Sequence, residues 1–65
     1  MRLGTVKFYD NDQGFGYITP SNGGKEVNVF AHGIIDKIKS NNIVQFDLAF
    51  TQTGLEAIKV IVLSS

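Results

Sequence analysis

The sequence predicts an all-β chain of five short strands closed into a small barrel, and three observations predict it. Apolar residues recur with period two far more often than at helical spacing. Gly, Asn and a single Pro punctuate the chain, so the breaks read as turns inside one unit; there is no repeat, no low-complexity tract and no linker. Sixty-five residues without a cysteine must stand on packing alone. An open sheet of five strands would leave one face and two edges bare, which favours closure. At 43% hydrophobic and 18% charged residues the chain has the material for one globular domain, residues 1–65, and a two-domain enzyme is excluded.

Taken in order, Gly4 to Tyr9 reads as a first strand, ended by the polar turn formers Asp10 to Gly14. Val6 and Phe8 share a parity there, and a bulge between them would send them to opposite faces. In Phe15-Gly16-Tyr17-Ile18 the two rings share one face while Gly16 and Ile18 take the other, with Ile18 in the core. The cluster Thr19 to Gly24 contains Asn-Gly and makes this run one arm of a hairpin. The other arm is Val27 to His32, with Val27, Val29 and Ala31 inward and Asn28, Phe30 and His32 outward. Gly33 to Ser40 is the one stretch suited to a helical turn, broken by Asn41-Asn42. Val44, Phe46 and Leu48 alternate with Gln45 and Asp47 in a fourth strand, and Phe46 and Phe50 read as core. After the turn Thr51 to Gly54, Leu55 to Leu63 is apolar on both parities and reads as a final strand buried on much of both faces.

Seven aromatics make up 11% of the chain. Volume filling explains some of them. It fails for Phe15, Tyr17 and Phe30, because Ile18, Val29 and Ala31 already claim the inward parity. A contiguous patch of exposed rings on adjacent strands marks a binding surface. Unpaired bases fit such a row, since every base offers a π-face and stacking contributes about 1–3 kcal/mol each. Carbohydrate and aromatic or proline-rich peptide fit it as well.

Lys7-Phe8-Tyr9-Asp10, then Gln13-Gly14-Phe15-Gly16-Tyr17-Ile18, then Val29-Phe30-Ala31-His32 resemble the two ribonucleoprotein motifs of the bacterial cold-shock proteins. The family pattern is K-W-F-N, K-G-F-G-F-I and V-F-V-H. Asn42 to Phe46 resembles the family's Q-x-V-x-F, and Gly54 to Val60 its G-P-x-A-x-N-V, so the resemblance spans essentially the whole chain. It implies a five-stranded antiparallel β-barrel of the oligonucleotide-binding (OB) fold. It further implies binding of single-stranded RNA and single-stranded DNA, as a nucleic-acid chaperone or regulator in cold adaptation and not as an enzyme. On the matching positions, Phe8 stands where the family has its surface Trp. Phe15 and Tyr17 take the ring positions of the first motif, and Phe30 and His32 those of the second. Lys7 matches the basic residue beside the first strand, and Asp10 replaces an Asn that contacts bases. Gln13 replaces a Lys, Thr53 an Arg of many members, and Gly33 a frequent aromatic; Ile38 stands for a loop Leu. With two cations and a ring missing, affinity below that of a typical member is expected.

Other chemistries find less support. The single histidine, His32, has no Cys, second His or paired carboxylate at ligand spacing, so neither a metal nor a cofactor is expected. It also lacks a nucleophile to serve as a general base. Gly14-Phe15-Gly16 lacks the third glycine and the helix of a phosphate loop; its glycines relieve crowding on a coiled strand. Lys7 and Lys25 both offer a phosphate contact against the plainer reading of solvated lysines, with Lys7 favoured because it adjoins Phe8 and pairs charge with stacking; Asp10 and Asp12 serve the turn, Asp10 with a base contact open to it. Six basic residues balance six acidic ones, so bulk charge is not what would draw a nucleic acid. The start has no leader pattern and no apolar run nears the roughly eighteen residues that cross a bilayer, which reads as cytoplasmic. The expected state is a monomer, with strand exchange through the final strand as its alternative. The rival function is a small barrel that uses the same patch to bind a protein or peptide.

Overall fold

The computed structural model describes residues 2–52 and 54–64. Five strands follow in chain order: β1 (Arg2–Asp10), β2 (Phe15–Pro20), β3 (Val27–Phe30), β4 (Ile43–Thr51) and β5 (Gly54–Ser64). They close into a barrel in the order β1-β2-β3-β5-β4. Closure gives every strand two neighbours, which is how so short a chain covers much of its backbone polar surface. The expected barrel is present, with one difference in its seams. Four of them are antiparallel, but β3 and β5 pair in parallel, at Asn28 with Glu56 and Val29 with Ala57. Having crossed from β3 to β4 by a long connection, the chain returns on β5 in the direction of β3, so this last seam can only be parallel. A further parallel bridge joins Ile34 to Val60.

The core is built by inward parity. It takes Val6 from β1, Ile18 from β2, Val27 and Val29 from β3, Val44 and Phe46 from β4, and Ala57 and Val60 from β5. Ile38, from the connection between β3 and β4, is buried with them, while Leu48 packs half-buried against the cluster. Burying one such side chain stabilises the fold by about 1.5–3 kcal/mol.

Two register shifts decide which side chains face out. On β1 the pairing with β2 slips between Val6 and Phe8, so Val6 points into the core and Phe8 to the surface. The bulge resolves the shared parity of those two residues. On β5 the pairing with β4 slips between Ile61 and Ile58, where Lys59 adopts φ 53°. That extra residue places Ala57 and Val60 inward together, three positions apart. β5 is covered on much of both faces, with Ala57 and Val60 in the core and Glu56, Ile58 and Ile61 buried or half-buried on the other side, while Leu55, Lys59 and Leu63 are exposed.

Three further readings are corrected. β3 ends at Phe30, and Ala31–Gly33 forms a 3₁₀ turn, which leaves Ala31 exposed instead of inward. The helical turn expected over Gly33 to Ser40 therefore lies earlier, and Gly33 is its last residue. The cause is local: Gly33 is buried with the Ala57 carbonyl 2.5 Å from where its Cβ would be, so the chain turns where only a glycine fits. Phe50, expected in the core, is 86% exposed, because β4 and β5 run on past the barrel as a hairpin whose inner side has no layer above it there.

Candidate nucleic-acid interface

Phe8 pairs directly with Tyr17 across β1 and β2, and Phe15 directly with Phe30 across β2 and β3. Residues directly opposite in an antiparallel pair share a face, so these four rings lie on one side of the barrel. Phe8 and Phe15 meet edge to face, with centroids 5.7 Å apart and planes at 86°. Tyr17 lies 5.8 Å from Phe8 and 6.0 Å from Phe15. On the far side Phe30 and His32 are stacked, 5.7 Å apart and within 16° of parallel. Phe8 and His32 are exposed, and Phe15, Tyr17 and Phe30 are half-buried, so all five remain in part accessible to solvent. The barrel brings all five aromatic candidates into one surface.

The polar candidates flank it. Lys7 is exposed and holds Glu26 in an ion pair of 2.6 Å. Asp10 sits at the end of β1, where its Oδ1 accepts the backbone N–H of Asp12 and of Gln13 and forms the turn into β2. Phe8, Tyr9, Asp10, Asn11 and Asp12 line one shallow hollow beside the rings. Lys25 is exposed, and Gln13, at the position of the family's lysine, is exposed in the turn. Thr53 lies outside the described residues.

Glycine at position 16 is what lets these rings sit so close to β1. A Cβ there would stand 2.1 Å from the Phe8 carbonyl oxygen and 2.7 Å from the Tyr9 Cα. Its role is close backbone packing under the platform, as the crowding argument expects.

This surface has the makings of a nucleic-acid interface: ring faces open to solvent, small residues between them and a cation at the edge. Residues 2–63 match the family described as the "'Cold-shock' DNA-binding domain". The chain belongs to that family. Two bacterial relatives are similar over nearly their full lengths. The cold shock-like protein CspA of Shewanella violacea is 36% identical over 64 residues, covering 92% of this chain and 91% of that one. The cold shock-like protein CspD of Haemophilus influenzae is 33% identical over 67 residues, covering 94% and 90%. Cold shock domain-containing protein 4 of Arabidopsis thaliana is 37% identical over 57 residues, and the chain spans only 28% of its length. Among solved structures, drosophila Unr CSD456 superposes with a TM-score of 0.78 at 22% identity, covering 95% of this chain and 26% of that one, a likeness of fold. Nucleic-acid binding of the cold-shock chaperone or regulator type is thus the activity of this cold-shock domain.

One residue of the site escapes a reading by motif. Glu56, in β5, is 3% exposed, and its Oε1 accepts a hydrogen bond from His32 Nε2 at 2.6 Å. Its Oε2 accepts from the Thr51 hydroxyl at 3.1 Å. The sequence reading missed it; the signal that could have found it is an acidic residue in the otherwise apolar run Leu55 to Ile58, since a carboxylate is buried only where donors meet it.

Proposed function

We propose that this cold-shock domain binds single-stranded RNA and DNA by stacking successive unpaired bases on Phe8, Phe15, Tyr17, Phe30 and His32. What carries the reading is the joining of two ring clusters through the direct pairing of Phe15 with Phe30. A row of separate ring faces suits bases that are free of a duplex, whereas paired bases hide their faces in the stack. Lys7 exchanges Glu26 for a phosphate, and Asp10 meets an amino-bearing base edge with the oxygen that its turn leaves over. The whole chain acts as one domain and as a monomer, in the cytoplasm, and it works by binding without catalysis. Among the described residues no helix is long and apolar enough to cross a membrane.

The test is a titration with oligo-dT, oligo-dA and a duplex of equal length, followed by fluorescence of a labelled strand. Weak to moderate binding of the single strands and still weaker binding of the duplex are expected. Phe15→Ala and Phe30→Ala should each weaken oligo-dT binding by about 1–3 kcal/mol, roughly five- to 150-fold in Kd, with the barrel still folded. Folded variants that bind as tightly as the parent would refute the stacking surface.

A further inference from the structure

His32 stands on the short 3₁₀ turn after β3, with its side chain 70% exposed. An imidazole so placed is free to rotate about two bonds, yet here it lies within 16° of the Phe30 ring plane. The restraint comes from Glu56 on the neighbouring strand. A carboxylate only accepts, so the 2.6 Å contact fixes the proton on Nε2, in the neutral ring as in the imidazolium. The carboxylate is itself fixed. It is buried in the β3–β5 seam opposite Asn28, and the Thr51 hydroxyl, 3.0 Å from the Gly54 carbonyl, also reaches its other oxygen. His32, Thr51, Gln52 and Glu56 line one hollow at the edge of the rings.

We propose that Glu56 is a positioning residue for nucleic-acid binding: it holds His32 parallel to Phe30 in advance, so that the two rings present one shelf to an incoming base. The inference rests on the stacking function proposed above. A side chain that is ordered before binding loses no rotamer freedom at the encounter, and that is the advantage Glu56 supplies. A buried carboxylate is costly unless donors meet it, and the stacking histidine is one such donor here, with the Thr51 hydroxyl shared between Glu56 and the Gly54 carbonyl.

The test is a double-mutant cycle on affinity for a fluorescein-labelled oligo-dT, with thermal unfolding run on every variant. His32→Ala and Glu56→Ala should each weaken binding by about three- to tenfold. The double variant should bind no more weakly than His32→Ala alone, because both changes remove the same shelf. Glu56→Gln keeps an acceptor for Nε2–H and should retain most of the affinity. If Glu56→Ala does not fold, Glu56→Met, which fills the space without an acceptor, takes its place in the cycle. Weakening by His32→Ala but not by the Glu56 variants, or full additivity of the two, would overturn the role of Glu56 alone. Binding unchanged by His32→Ala would remove His32 from the stacking surface, and Glu56 with it.

Discussion

Gly16 and Phe50 mark the two extremes that a single residue occupies in this barrel. At Gly16 a methyl group would be driven to 2.1 Å from a backbone oxygen of β1, where no flexible side chain can yield. Gly16→Ala should therefore destabilise the fold by on the order of 3 kcal/mol, the upper range for overpacking. A domain of this size has only a few kcal/mol in hand, so thermal unfolding should show a largely unfolded population near 37 °C; an unchanged melting temperature would sink the argument. Phe50, by contrast, is in water. Phe50→Thr should alter stability by less than about 0.5 kcal/mol and leave oligo-dT affinity within about twofold, against the large loss expected for Phe15→Ala. These positions also show what a sequence discloses about a residue. Phe15, Tyr17 and Phe30 were legible as surface rings because small or aliphatic neighbours took the inward parity. Phe50 was not, since its parity is that of Val44, Phe46 and Leu48, and only the point where the opposing layer ends tells it from them. Glu56 was not read as part of the site, since it stands inside a run taken as apolar and its partner is 24 positions away in the chain.

At the scale of the element, alternation fixed the facing of β2, β3 and the first half of β4, and failed wherever the strand was not regular. β5 is the clearest instance. Its apolar run cannot say where the extra residue lies, because the shift at Lys59 depends on how β4 pairs with it. The bulge carries its own cost. A lysine at φ 53° is in the left-handed region, which disfavours a side chain with a Cβ by roughly 1–2 kcal/mol. Glycine removes that cost and adds about 0.5–1 kcal/mol of unfolded-state freedom, so the difference favours the replacement. Lys59→Gly should stabilise the domain by about 0.5 kcal/mol and raise the melting temperature by roughly 2–4 °C. A lower melting temperature would mean that the lysine side chain contributes more than its backbone costs.

At the scale of the molecule, charge is the property that sets how this domain binds. Six cations balance six anions. Lys7 beside the rings is already held by Glu26, and Asp10 and Asp12 stand at the same edge. Few phosphates can then be neutralised, and each contributes about 0.7 to the slope of log K against log salt for a single strand. Affinity should thus come from stacking, and the slope for oligo-dT should lie between about 0.7 and 1.4 in magnitude. Because Lys7 exchanges Glu26 for a phosphate on binding, Glu26→Gln should tighten binding at low salt and leave the slope unchanged, while Lys7→Gln should flatten the slope by about 0.7. Titrations at a series of salt concentrations distinguish the cases. A parent slope of roughly 3 or more would require several phosphate contacts, and binding would then follow charge distributed over the barrel, with the rings secondary to it.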